Sequence, residues 1–122
     1  MSGATESMLV AHEETFGPLA PIFSFDTEAD VIRMANDTEF GLAGYFFCND
    51  VSRVMRVAQA LQVSIVGVNT DKISAAQSPF GGVKQSGYGR EGSLYGMGEY
   101  QVIKLLQLKI EIHEQYTVST MS

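Results

Sequence analysis

Few side chains in this sequence could carry covalent chemistry, and they are scattered. Cys48 is the only thiol in 122 residues. It ends an aromatic run, Tyr45, Phe46 and Phe47, just before an expected helix start, a setting in which a thiol with a base nearby can act as a nucleophile. The only histidines, His12 and His113, are not placed by the sequence to serve as that base. The simpler reading is the stronger one: a lone cysteine packing as a small hydrophobe. Two histidines and one cysteine so far apart have no metal-ligand spacing, and neither a P-loop nor a G-x-S-x-G elbow is present. No catalytic residue and no metal site is therefore assigned.

Binding chemistry has more to work with. Residues 79–93 hold five glycines in fifteen positions, so the backbone there must turn tightly or approach something that a Cβ would block. The segment is not a linker, because Phe80, Val83, Lys84, Tyr88 and Arg90 can each be pinned by packing or pairing. Gly87 to Gly92 matches G-x-G-x-x-G literally, with Glu111 near the distance of a ribose-binding acid. The context is wrong for a dinucleotide fingerprint: no strand leads into it, and Gly96 and Gly98 interrupt the helix that should follow. A second stretch, Glu13, Glu14, Thr15, Phe16, Gly17 and Pro18, places an acid and an aromatic on a loop ended by a Gly-Pro break. From composition alone Glu14 reads as a solvated acid and Phe16 as a core anchor, with binding roles as the alternative.

The elements that must position these residues read as an α/β fold, a parallel βαβαβ sheet with covering helices. Residues 20–25 form a short apolar run behind Pro21, as a buried strand would. Asp26 and Thr27 offer capping oxygens, and Val31, Ile32 and Ala35 recur at helical spacing up to Asn36 and Asp37. Residues 42–48 are aromatic enough for a strand, and Asn49 and Asp50 cap a helix over 51–62 with Val51, Val54, Met55, Ala58 and Leu61 on one face. The β-branched run 63–68 closes the pattern, and short joints between alternating strands and helices imply crossover connections. Ligands in such sheets sit beyond the carboxyl ends of the strands, where the segment after Asn69 begins. A short helix weakened by its glycines is expected over 93–100. Beyond it Leu106, Leu108, Ile110 and Ile112 alternate with polar residues, the pattern of a strand that must pair with a distant strand or another chain.

Composition sets the outer limits. A chain with 45% hydrophobic and 18% charged residues is expected to bury one core. The net charge of −6 without any basic run excludes a nucleic-acid or anionic-membrane surface. No apolar stretch approaches a membrane span, no secretory pattern opens the chain, and a single cysteine fits a reducing compartment, so a cytoplasmic location is expected.

Glu13, Glu14, Thr15, Phe16, Gly17 and Pro18, then Asn69 and Thr70, then the whole glycine-rich segment 79–93 with Tyr95, Gly96, Glu99 and Tyr100 downstream, resemble the C-terminal part of an NAD(P)-dependent aldehyde dehydrogenase. The likeness covers about residues 8–110, and the wording of the glycine-rich segment is most similar to the succinate-semialdehyde dehydrogenase branch. The resemblance implies that Glu14 accepts hydrogen bonds from the ribose on the nicotinamide side of NAD or NADP and that Phe16 packs near the nicotinamide ring. It implies that Phe80 lines the mouth of the aldehyde tunnel and that Ser74 holds the substrate's carboxylate tail. The resemblance implies a partial catalytic domain over 8–100 and an oligomerisation strand over 101–113, while the small polar residues 1–7 read as a frayed, disordered tail and 114–122 as a polar tail that departs from the short ending common in that branch. The aldehyde would be the substrate and a second copy of the chain the partner, docked through that strand to make a homo-oligomer. Family members also carry a Rossmann-like cofactor domain, a nucleophilic cysteine and a general-base glutamate ahead of the Glu14 motif, and Cys48 is not in the nucleophile's position. The chain alone is thus expected to be inactive, either as one part of such an enzyme or, alternatively, as a non-catalytic interaction or oligomerisation module derived from it.

Overall fold

The computed structural model describes residues 1–109. Its most regular part is a βαβ unit. Strand β2 (Ala43–Phe46) runs parallel to β3 (Ile65–Val68), with Ala43 opposite Ile65 and Phe46 opposite Val68. Helix α2 (Val51–Ala60) is the crossover between them. It starts where it does because the Asp50 carboxylate accepts from the Ser52 and Arg53 amides at 2.9 and 3.3 Å, satisfying donors that the first helical turn leaves free. Helix α1 (Glu28–Asn36) begins in a capping box, with the Asp30 amide donating to Thr27 Oγ1 and the Thr27 amide to Asp30 Oδ2.

The two helices are fastened at both ends. Arg56 donates two bonds to the Glu28 carboxylate, at 2.6 and 2.9 Å, and Arg53 lies 3.1 Å from it. The Arg56 guanidinium holds the Glu28 carboxyl below the usual range. At the other end Asn36 donates to the Ala60 carbonyl and accepts from the Gln62 amide.

A second pairing escapes the sequence pattern. Strand β1 (Phe40–Gly41) is antiparallel to β4 (Val83–Lys84), which lies inside the glycine-rich segment. The sheets are therefore mixed, two pairs of strands in place of three parallel strands. The strand expected over 20–25 is reduced to one parallel bridge between Ile22 and Ser2. Pro21 supplies no amide to a ladder, and no described strand lies alongside to extend the bridge. That bridge also overturns the expected frayed start: the Ala4 amide donates to Ile22 O, the Ile22 amide to Met1 O, and Ala4 is buried.

The helix expected over 93–100 forms one α-turn, α3 (Ser93–Gly96), followed by a 3-10 turn over Met97–Tyr100. No strand forms over 101–109, where Val102, Ile103, Leu105, Leu106 and Leu108 are exposed. A strand exists only through its partner's backbone, and no described residue provides one. The rest of the expected assembly strand, 110–113, and the tail 114–122 lie outside the described residues. Among those residues no helix is long and apolar enough to cross a membrane.

The expectation of one buried core also fails. Ala4 and Val57 are the only buried apolar side chains among the described residues, whereas Phe16, Phe47, Tyr88, Leu94 and Tyr100 are each more than three-quarters exposed.

Candidate functional site

The glycine-rich segment is a cross-tied turn. Phe80 and Glu91 exchange both backbone bonds, at 2.8 and 2.6 Å, and the Ser93 amide donates to Ala76 O at 2.9 Å. Gly92 carries a φ of +64°, and a Cβ there would stand 2.9 Å from the Ser78 carbonyl, so only glycine fits. Arg90 folds across the turn, its Nη1 donating to the carbonyls of Gly82, Tyr88 and Gly89. Ser64 Oγ, at the entry to β3, hydrogen-bonds the Gly81 carbonyl. Lys84 has a φ of 54°, a conformation that costs a non-glycine residue energy. Its Nζ donates to the carbonyls of Asn36 and Thr38 at 3.1 and 3.0 Å, fixing β4 to the end of α1.

The turn borders several open hollows among the described residues, two of which adjoin Phe80. One, of about 520 Å³, is lined by Ser74, Ala75, Ala76, Ser78, Phe80 and Glu91 among others. It unites Ser74 and Phe80, and the Ser74 and Ser78 hydroxyls have no hydrogen-bond partner among the described residues. Another, of about 830 Å³, shares Phe80 and Glu91 with it and is lined as well by Leu42, Arg90, Met97 and Glu99.

Glu14 and Phe16 line neither hollow. They sit on irregular backbone after a 3-10 turn at Leu9–Ala11, with Phe16 95% exposed and no described hydrogen bond or ion pair to the Glu14 carboxylate. Cys48 is half-buried, and its S–H lies 3.6 Å from the Asp50 carbonyl. His12 engages the Glu6 carbonyl at 2.7 Å, far from any role at Cys48. Among the described residues no group of His, Cys, Asp or Glu could hold a metal ion.

The sequence marks Lys84 and Arg90 as side chains that packing or pairing can pin and Asn69 as the opening of the loop, without their partners, and it passes over Ser64. Asn69, at φ 55°, accepts from the Cys48 amide and donates to the Cys48 carbonyl, at 2.9 and 2.8 Å, so it closes the carboxyl end of the parallel pair. An asparagine directly after a β-branched run is the one signal that pointed to it, since asparagine tolerates this conformation better than other residues with a Cβ.

The model of the aldehyde dehydrogenase family matches residues 1–106. Glutarate-semialdehyde dehydrogenase of Pseudomonas putida is 60% identical over 101 residues, covering 83% of this chain and 21% of that protein. The NADP(+) succinate-semialdehyde dehydrogenase GabD of Escherichia coli is 62% identical over 97 residues, 80% of this chain and 20% of the relative. The solved NAD+ complex of an aldehyde dehydrogenase from Bacillus cereus superposes with a TM-score of 0.83 at 34% identity, over 90% of this chain and 22% of that one. The chain thus spans about a fifth of the length of the curated relatives it matches.

Proposed function

Given that the chain belongs to the aldehyde dehydrogenase family, we propose that it is the C-terminal part of an enzyme that oxidises a short carboxylate-bearing aldehyde, such as succinate or glutarate semialdehyde, with NAD or NADP. Its own share is one wall of the site and a subunit contact. The observation that carries this reading is the surface: among the described residues apolar side chains lie open from Met1 to Leu108, and only Ala4 and Val57 are buried. Open apolar area on that scale is the inner face of a larger fold, since soluble monomers rarely expose large contiguous patches. The alternative of a self-sufficient interaction module has no such cover to offer.

The residues present fit one half of the cofactor. Glu14 has two carboxylate oxygens with no described partner, free to accept from a ribose diol, and Phe16 presents an open aromatic face to a planar ring. When bound, the cofactor takes up hydride from the substrate. Ser74 and Phe80 form the substrate side, with the Ser74 hydroxyl donating to the carboxylate tail and Phe80 excluding water from the aliphatic part. The nucleophilic thiol and the general base belong to the other four-fifths of the enzyme. The exposed run over 101–109 docks on a neighbouring subunit and makes the homo-oligomer. A cytoplasmic location is part of the proposal, supported by a cysteine usage that suits a reducing compartment.

The test is complementation. The chain is mixed, or co-expressed, with a relative truncated by its matching fifth, and formation of reduced cofactor is followed with succinate semialdehyde. The chain alone should be inert and the mixture active. A mixture as inert as its parts would overturn the assignment.

A further inference from the structure

We propose that Arg90 is a positioning residue that sets which aldehyde fits the Ser74–Phe80 wall, without touching the substrate itself. The inference rests on the reading of that wall given above. Arg90 does not line the Ser74–Phe80 hollow; it lines the larger one, which shares Phe80 and Glu91 with it.

One guanidinium nitrogen serves three carbonyls. Nη1 lies 2.8 Å from Gly82 O and Gly89 O and 3.1 Å from Tyr88 O. Gly82 is on the incoming arm of the turn and Tyr88 and Gly89 are on the outgoing arm, so the charge staples the two arms together. Three carbonyl dipoles converging on one point repel one another unless a cation sits between them, and charge-assisted bonds are the stronger kind. Gly81 makes the arrangement possible: a Cβ there would collide with the Gly89 carbonyl and stand 2.8 Å from Arg90 Cδ.

The residue after the staple is Glu91, which pairs both ways with Phe80, and two further on Ser93 holds Ala76. The segment 74–80 is therefore tied to the outgoing arm at two points, and the staple fixes where that arm stands. Replacing the guanidinium frees the arm, shifts the Phe80–Glu91 rung and changes the width of the hollow between Ser74 and Phe80. A shift of about a methylene's width alters discrimination between chain lengths by tenfold or more.

The experiment uses the complemented enzyme with the chain unsubstituted, or carrying Arg90→Met or Arg90→Lys, against succinate semialdehyde, glutarate semialdehyde and butanal. Arg90→Met should raise KM for the two semialdehydes about tenfold and erase the preference between them, with cofactor KM and kcat within about threefold. Arg90→Lys, whose ammonium can donate to the same carbonyls, should recover most of the preference. Loss spread evenly over all aldehydes and the cofactor, or an unaltered preference, overturns the proposal. Should the unsubstituted mixture be inert, the fault lies with the assignment of function, and amide hydrogen exchange on the chain decides the staple separately. Arg90→Met should speed exchange at Phe80, Glu91 and Ser93 about tenfold or more while leaving Ile65 and Asn69, which donate to β2, unchanged, and either unaltered rates at the first three or equal acceleration at all five overturns it.

Discussion

Two segments carry the proposed site residues, and they are held in opposite ways. The stretch around Glu14 and Phe16 has no regular structure, leaves its aromatic ring almost wholly exposed and gives its carboxylate no described partner. The glycine-rich turn around Phe80 is bound to α1 through Lys84, to β1 through a two-residue ladder, to the entry of β3 through Ser64 and to itself through Arg90. The turn brings its own scaffold and the Glu14 loop does not. A wall that receives substrates of different length needs fixed geometry, whereas a carboxylate awaiting a ribose can be aligned by the ligand and by neighbours from another part of the protein.

Substitutions can break or sharpen this contrast. The largest effect is expected at Gly81→Ala, where a methyl group meets the Gly89 carbonyl and backbone must move. A destabilisation of about 3 kcal/mol should appear in thermal denaturation followed by circular dichroism. Next is Lys84→Met, which removes two charge-assisted bonds to the end of α1. About 2 kcal/mol should be lost, with faster exchange of the Gln85 amide as the local readout. A smaller effect, and one that depends on pH, is expected at Glu28→Gln. The Arg56 bond depresses the Glu28 carboxyl, so its contribution is complete above the ordinary glutamate range and fades as pH falls through the lowered value. The variant should melt slightly earlier at neutral pH and no differently in strong acid. Glu14→Gln should have the smallest effect on stability, within about 0.5 kcal/mol of the unsubstituted chain. In the complemented enzyme the same change should raise cofactor KM about tenfold, the cost of replacing a charged acceptor by a neutral one. Marked destabilisation by Glu14→Gln would erase the contrast.

The parts legible in the sequence are those written in side chains close together along it. Thr27 with Asp30, and Asp50 before Val51, announce the two helices, and apolar periodicity carries them to within two residues of their ends. The β-branched and aromatic runs mark β2 and β3. The β1–β4 pair was not legible, because two residues beside a glycine have no period to read. The strand expected over 20–25 failed for a different reason. Its composition suits a strand, but pairing depends on a partner that the described chain does not hold, and the same holds for 101–109. The burial expectation failed likewise, since hydrophobic content says how much surface seeks cover and not whose chain supplies it. At the site, Glu14, Phe16, Ser74 and Phe80 came from motif likeness, whereas the Arg90 staple aims at backbone carbonyls that every residue possesses and no sequence pattern marks.

The β1–β4 ladder bears on the order in which the chain is completed. Ser64 Oγ donates to the Leu42 carbonyl across 22 positions, yet the Gly41 amide donates to Ser86 Oγ, 45 positions on. On a ribosome, the parallel pair can therefore close while the glycine-rich turn is still unsynthesised, and Phe40 and Gly41 wait as a bare edge for the latecomer. The last piece to lock is the one that shapes the pocket, so a stalled or hurried synthesis would damage substrate selection before it damaged the sheet.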